Sequence, residues 1–155
     1  MFSQYDLDLE MMQQAKDRAR FSTDRSRKIG CVITSPEGQI LSEGWNTVPL
    51  RCQHTEERHQ RPAKYIWTEH AERNAIYAAA RAGTALLGST IYVPWYPCPE
   101  CARGIIASGI ARLVAYRPDF NDPRWGADFK EVEELLKDAQ VPVTFLPGEA
   151  PKAAL

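Results

Sequence analysis

The stretch from Thr90 to Tyr116, TIYVPWYPCPECARGIIASGIARLVAY, decides the fold because strand and helix patterns alternate along it. Thr90–Pro94 and Arg112–Tyr116 are short apolar runs typical of buried strands. Between them, Cys101–Ser108 has a helical pattern that ends at Gly109. A strand, a helix and a second strand in this order predict a right-handed parallel crossover.

The pattern extends in both directions from this stretch and predicts an α/β fold. The turn Ser35-Pro36-Glu37-Gly38 lies between two strand patterns and predicts a hairpin. We therefore expect three layers, α/β/α, around a five-stranded mixed sheet that is antiparallel at its first hairpin. The further predicted elements are helix Asp6–Phe21, strands Ile29–Thr34 and Gln39–Trp45, helix Glu69–Ala82, helix Phe129–Ala139 and strand Val141–Leu146.

Two segments fall outside these elements. Asn46–Lys64 is polar and carries two prolines, which predicts a long loop. Residues 1–147 are expected to form one domain, followed by a flexible C-terminal tail over residues 148–155.

Composition excludes several classes of protein. The 155 residues include 44% hydrophobic and 25% charged residues, which is ordinary for a globular domain. The net charge of −1 argues against bulk nucleic-acid binding, because such domains usually have a basic excess. No apolar run has the roughly 20 residues of a membrane-spanning helix, and the N-terminus lacks a signal-peptide pattern. With only four cysteines, the chain is expected in the cytoplasm with its thiols reduced.

Two short clusters indicate a metal site. They are His70-Ala71-Glu72 and Cys98-Pro99-Glu100-Cys101, each at the start of a predicted helix. Two thiolates and one imidazole suit Zn²⁺, and a three-ligand set leaves one tetrahedral position open, as in catalytic sites. Zinc lowers the pKa of a bound water to about 7, and Glu72 is placed to move its protons. A structural zinc with a fourth ligand is the alternative; the side chains available for it are His54, His59, Cys31 and Cys52.

Taken together, the two clusters match the zinc-deaminase pattern of His-x-Glu followed by Pro-Cys-x-x-Cys. From about Asp6 to Leu146 the chain resembles the cytidine/deoxycytidylate deaminase superfamily, and within it the deoxycytidylate (dCMP) deaminase branch. It departs from the branch at Thr47, where glycine is usual, and at Pro94-Trp95-Tyr96. The stretches that carry the resemblance are residues 27–33, 44–46, 70–76, 91–93, 97–101 and 109–110.

This resemblance implies hydrolytic deamination at C4 of a cytosine ring. Zinc would be held by His70, Cys98 and Cys101, and Glu72 would carry protons from water to ring N3 and the leaving ammonia. The resemblance also implies that Asn46 hydrogen-bonds the sugar, that the backbone near Ala71 contacts the pyrimidine edge, and that the protein is a dimer or hexamer.

The chain offers further candidates for substrate and partner contacts. Arg27 and Lys28, with the hydroxyl groups of Ser22, Thr23 and Ser26, are candidates for binding a phosphate. Arg51, Arg58, Arg61 and Lys64 form a second basic set on the long loop. Trp95 and Tyr96 are candidates for stacking on a base. A second zinc near Cys52, His54 and His59 is an open alternative, and Phe120, Trp125 and Phe129 predict an exposed aromatic interface.

We therefore expect a zinc-dependent deaminase that converts dCMP and water to dUMP and ammonia. Two alternatives stay open. One is an enzyme for another nucleoside, a free base or a tRNA adenosine, and the other is a zinc-stabilised binding module without turnover.

Overall fold

A five-stranded mixed sheet forms the centre of the protein, whose computed structural model describes residues 3–153. The strand order is β2-β1-β3-β4-β5, so the last three strands lie on one side of the hairpin. β1 is antiparallel to both β2 and β3, whereas β3, β4 and β5 are mutually parallel, which confirms the predicted mixed sheet. The strands are β1 (Gly30–Thr34), β2 (Ile40–Trp45), β3 (Thr90–Tyr92), β4 (Arg112–Tyr116) and β5 (Val143–Leu146).

In residues 3–153, five α-helices surround this sheet. The polar loop predicted over Asn46–Lys64 contains a short 3₁₀ turn and leads directly into a four-residue helix that the sequence pattern did not predict. The last helix starts three residues before the predicted Phe129, because Asp122 accepts hydrogen bonds from the N–H groups of Arg124 and Trp125. The helices are α1 (Gln4–Arg18), α2 (Lys64–Trp67), α3 (Ala71–Ala82), α4 (Pro99–Ala107) and α5 (Gly126–Asp138).

The helices divide between the two faces of the sheet, which confirms the three layers. On one face, α1 buries Met11, Met12 and Ala15 against Val32 and Tyr92 of the sheet. On the other face, α3, α4 and α5 pack together in the larger cluster of buried residues. The functional side chains described below come from this second layer and its loops.

The prediction of an exposed aromatic interface in residues 120–129 is wrong in its premise. Phe129 is only 3% exposed and belongs to the main hydrophobic core. Phe120 and Trp125 are partly buried against the same core. The crossover from β4 to β5 lays α5 along the sheet, so these rings are covered within the chain.

The C-terminal segment returns towards the loop before β1. Within residues 148–153, the carbonyl oxygen of Pro151 accepts a hydrogen bond from Arg27 Nε at 3.1 Å.

In the part of the chain that the structure describes, no helix is long and apolar enough to cross a membrane.

Candidate active site

His70 lies at the N-cap position of α3. The residue before it, Glu69, forms an isolated antiparallel β-bridge with Thr47. Thr47 N donates to Glu69 O at 3.1 Å, and Glu69 N donates to Thr47 O at 2.9 Å. Gly44 allows α3 to approach β2 closely, because a Cβ atom there would lie 2.5 Å from Ala75 N. Thr47, the residue that departs from the family pattern, therefore anchors the backbone beside His70.

Cys98 occupies the N-cap position of the neighbouring helix α4 and, unlike His70, caps it with its side chain. Its Sγ accepts a hydrogen bond from Cys101 N at 3.5 Å, and Pro99 follows at the first helical position. Proline suits this position because its φ angle is already helical and it lacks the N–H that would stay unpaired. The predicted placement of both clusters at helix starts is confirmed.

The two helix starts bring three ligand atoms together. His70 Nδ1 lies 3.5 Å from Cys98 Sγ and 3.5 Å from Cys101 Sγ. Zinc–sulfur bonds of ~2.3 Å and zinc–nitrogen bonds of ~2.05 Å at a tetrahedral angle separate sulfur and nitrogen by about 3.6 Å. The three side chains thus fit a zinc ion, and a set of two thiolates and one imidazole leaves one coordination position for a reactant.

Hydrogen bonds among His70, Cys98 and Cys101 favour the thiolate form of Cys98. The bond from the Cys101 thiol lowers the pKa of Cys98 to about 4, with His70 contributing in the same direction. The hydrogen bond between the two cysteines, together with burial, raises the pKa of Cys101. The hydrogen bond between His70 and Cys98 raises the pKa of His70. Thiolate is the form of cysteine that binds metals.

Arg73 links the two helix starts and was not singled out by the sequence analysis. Its Nε donates to Glu69 Oε1 at 2.6 Å, and its Nη1 donates to Glu100 Oε2 at 2.6 Å. Burial lowers the pKa of Arg73, but Cys101 and the two glutamates raise it by more. The i, i+4 spacing of Glu69 and Arg73 is a signal visible in the sequence, whereas Glu100 is recognisable only in the folded chain.

A cavity of about 210 Å³ opens beside the ligand group. Glu72 lines it and is only 4% exposed, and this burial raises the pKa of its carboxyl. A carboxyl with a raised pKa is suited to take up and release protons near neutral pH. Other predicted site residues that line the cavity are His70, Ala71, Cys98, Asn46, Arg27 and Trp95.

Asn46 is buried and most of its amide is used within the fold. Its Oδ1 accepts hydrogen bonds from Ser22 Oγ at 2.6 Å and Ile29 N at 2.8 Å. Its Nδ2 donates to Arg27 O at 2.7 Å, which leaves one N–H of the amide for a ligand. The sequence analysis did not foresee this second role, in which Asn46 fixes the loop before β1.

Two predicted contact residues lie outside the cavity lining. Tyr96 is 2% exposed and packs in the core against Phe120, Phe129 and Phe145, so we assign it to the core. Lys28 donates from its Nζ to Ser22 O at 2.8 Å instead of reaching the cavity.

The hydroxyl groups expected to bind phosphate are also partly used within the fold. Ser22 Oγ bonds Asn46, and Thr23 Oγ1 lies 2.9 Å from Thr47 Oγ1. Among these three hydroxyl residues, Ser26 is the one that lines the cavity.

The alternative second metal site is not assembled in residues 3–153. The rings of His54 and His59 lie 6.0 Å apart, and Cys52 does not join them in a group of three close ligand atoms. The group of three in the described chain is His70, Cys98 and Cys101.

Comparison with known proteins adds independent findings. Residues 6–117 match the family described as the cytidine and deoxycytidylate deaminase zinc-binding region. An uncharacterized deaminase in the luxG 3′ region of Aliivibrio fischeri is 36% identical over 138 residues, which cover 87% of this chain and 90% of that protein. In fold, the chain is similar to dCMP deaminase of the cyanophage S-TIM5 in complex with dCMP and dUMP, with a TM-score of 0.75 and 21% identity over 94% of this chain and 100% of that one.

Deoxycytidylate deaminases are similar over shorter stretches. The enzyme of Enterobacteria phage T2 is 42% identical over 79 residues, or 50% of this chain and 38% of that protein. The Homo sapiens enzyme is 32% identical over 110 residues, or 67% of this chain and 61% of that protein. The matched region thus spans well under the full length of these two proteins.

Proposed function

This chain belongs to the cytidine and deoxycytidylate deaminase family, and we propose that it converts dCMP and water to dUMP and ammonia. The observation that carries the proposal is one cavity lined by Glu72 together with two members of the zinc-ligand group, His70 and Cys98. The similarity to deoxycytidylate deaminases of phage and animals supports the choice of dCMP over other cytosine compounds.

Zinc held by His70, Cys98 and Cys101 would supply Lewis acidity that makes water a nucleophile at neutral pH. In the reaction, a C–O bond forms at C4 of the cytosine ring and the bond from C4 to the amino nitrogen breaks. Glu72 would accept a proton from the attacking water and deliver protons to ring N3 and the departing ammonia. Its burial supports this role, because a raised pKa keeps both protonation states accessible.

The other cavity residues would position the nucleotide. The free N–H of the Asn46 amide is available for a sugar oxygen. Ala71, in the first turn of α3, offers backbone groups to the pyrimidine edge, and Trp95 offers an aromatic face. Arg27 is stacked on Trp95, with its guanidinium 3.8 Å from the ring centroid, so the two side chains form one wall.

We also propose that the protein acts as a homo-oligomer. The aromatic rings of residues 120–129 do not support this, since they are covered within the chain. The proposal rests on the resemblance to the deaminase superfamily, which implies a dimer or hexamer. Single exposed apolar side chains such as Ile66 and Leu87 are ordinary on a protein surface and do not by themselves indicate an interface. Sedimentation at micromolar protein concentration tests the proposal, and a monomer mass would contradict it.

The function is tested by measuring ammonia release from the purified zinc-loaded protein. The substrates are dCMP, CMP, deoxycytidine, cytidine, guanine and tRNA, all under the same conditions. We expect the highest kcat/KM with dCMP. Glu72→Gln is the matched control: it should retain zinc and lose roughly 10²–10⁴-fold in turnover, because the proton carrier is removed.

Other results would redirect the proposal. A higher kcat/KM with another compound would replace dCMP by that substrate. Zinc-loaded protein that releases ammonia from none of the six would favour a binding module.

A further inference from the structure

A phenol oxygen at the cavity receives two arginines from different parts of the chain. Tyr65 lines the cavity, and its hydroxyl oxygen accepts hydrogen bonds from Arg61 Nε and Arg124 Nη2, both at 2.7 Å. Arg61 precedes α2, and Arg124 belongs to the loop before α5, 59 residues beyond Tyr65. We refer to Arg61, Tyr65 and Arg124 as the Tyr65 cluster.

The Tyr65 cluster presents hydrogen-bond donors. Arginine has five N–H donors and no acceptor, so each guanidinium keeps donors that Tyr65 does not use. Both lone pairs of the Tyr65 oxygen are occupied by the arginines, which leaves its O–H to donate as well. A group of donors with two positive charges fits an anion.

Within residues 3–153, the nearby carboxylates have partners other than Arg61 and Arg124 or form no ion pair with them. Asp24 forms an ion pair with Lys64 at 3.1 Å and accepts hydrogen bonds from the N–H groups of Ser26 and Arg27. Asp122 accepts hydrogen bonds from the backbone before α5. Asp128 also lines the cavity. Within residues 3–153, none of these carboxylates forms an ion pair with Arg61 or Arg124.

A third arginine adds to the same positive field. Arg27 lines the cavity, and its pKa is lowered mainly by burial. The charges of Asp24 and Asp122 raise this pKa, and those of Arg124 and Arg61 lower it, so the three arginines lie within one electrostatic environment. It bonds a backbone carbonyl and stacks on Trp95 instead of pairing with an acid. The cavity lining therefore combines Glu72 and two of the metal-ligand residues with Arg27 and Arg61, which form no ion pair with a carboxylate within residues 3–153.

We infer that the Tyr65 cluster binds the 5′-phosphate of the nucleotide substrate; the inference rests on the proposed function for the identity of that nucleotide. A phosphate monoester carries nearly two negative charges near neutral pH, and guanidinium groups bind its oxygens in pairs. Arg61 and Tyr65 line the same cavity as Glu72, so one molecule can contact both regions. The phosphate contact thus comes from the segments around α2 and before α5, whereas Lys28 lies outside the cavity lining.

Two measurements test this inference on the zinc-loaded protein. The first is the ratio of kcat/KM for dCMP to that for deoxycytidine in the wild type, Arg61→Gln and Arg124→Gln. Arg51→Gln is the matched control, because Arg51 is an exposed arginine on the same loop and does not line the cavity. Hydrogen bonds to charged groups contribute about 1.5–3 kcal/mol. We expect the ratio to fall at least about tenfold in each cluster variant and to stay within twofold in the control.

The second measurement is calorimetric titration with dUMP and with deoxyuridine, which needs no turnover. We expect dUMP to bind at least about tenfold more weakly to each cluster variant than to the wild type. Unchanged dUMP affinity and an unchanged ratio in both variants would overturn the inference. Wild-type protein that binds dUMP through these arginines but releases no ammonia from dCMP would retain the inference and reject the proposed function.

Discussion

Arg73 and Glu100 form an ion pair at 2.6 Å that connects the first turn of α3 to the first turn of α4. The same guanidinium holds Glu69, the residue before His70. Glu100 lies between Cys98 and Cys101 in the chain. One side chain therefore fixes the relative position of the two segments that supply the zinc ligands.

Removing this connection should weaken zinc binding. We expect Arg73→Gln to raise the Kd for zinc about 10–100-fold, since residues that orient metal ligands commonly have effects of this size. Competition with a chromophoric chelator measures the Kd. Arg103→Gln, an exposed arginine on α4, is the control and should bind zinc as the wild type does. Equal affinity in Arg73→Gln and wild type would show that the ligands need no such support.

The ligand assignment predicts a selective response among the cysteines. Cys98→Ser and Cys101→Ser should each reduce the zinc content of the purified protein, because a serine hydroxyl is a much poorer zinc ligand than a thiolate. Cys52→Ser should keep one zinc per chain, as Cys52 lies outside the ligand group. Elemental analysis gives the content directly. Full occupancy in both ligand variants would refute the assignment.

On the opposite face of the sheet, a buried ion pair should make stability depend on pH. Asp8 is 2% exposed and accepts hydrogen bonds from Arg112 Nη2 at 2.5 Å and Tyr92 Oη at 2.8 Å. Burial alone would raise the pKa of Asp8, but its hydrogen bonds to Arg112, Tyr92 and Gln4 lower it overall. The folded pKa is thus below the unfolded value of about 3.9.

It follows that this stabilisation is complete above about pH 4 and is lost as the pH falls through the folded pKa of Asp8. Asp8→Asn should unfold at a lower urea concentration at pH 7, because the partly exposed Arg112 loses its charged partner, and hydrogen bonds to charged groups contribute about 1.5–3 kcal/mol. Its stability should also fall less than that of the wild type on acidification. Asp17→Asn, on the exposed side of α1, is the control. Parallel pH profiles for Asp8→Asn and wild type would contradict the prediction.

Gly44 should tolerate no side chain. An added Cβ would lie 2.5 Å from Ala75 N and against the carbonyl oxygen of Ala71, so α3 would have to move away from β2. We expect Gly44→Ala to lower the free energy of unfolding by about 1–3 kcal/mol, as overpacking commonly does. Urea unfolding measures the change.

A glycine-to-alanine control is available on α4. At Gly104 the nearest atom to an added Cβ would be Ile76 Cδ1 at 3.5 Å, which is an ordinary contact. Gly104→Ala should be neutral or stabilising, because alanine favours a helix by about 0.8–1 kcal/mol over glycine. Equal destabilisation of the two variants would argue against the close approach at Gly44.

Local patterns in the sequence were sufficient for the sheet, for four of the five α-helices in the described residues and for the candidate zinc ligands. His70 and Glu72 lie two residues apart, and Cys98 and Cys101 lie three apart. Such short spacings indicate a metal site from the sequence alone. The pairing of Asp8 with Arg112 joins residues 104 apart, and no local pattern predicts it.

The same reason explains the misplaced contact residues. Tyr96 follows Trp95 directly, yet the chain turns so that one ring lines the cavity and the other lies in the core. Arg27 likewise lines the cavity, whereas the next residue, Lys28, donates to the carbonyl oxygen of Ser22 and lies outside the lining. Adjacent residues that point to different sides of a loop are distinguished only by the packing around them.

The hydrogen bond from Arg27 to Pro151 has a practical consequence for work with this protein. Arg27 lines the cavity, so the contact with Pro151 ties the C-terminal segment to one of the lining side chains. A purification tag or fusion partner attached shortly after Pro151 would be tethered within a few residues of a contact to this cavity-lining side chain. Affinities and rates are therefore best measured after a C-terminal tag has been cleaved off.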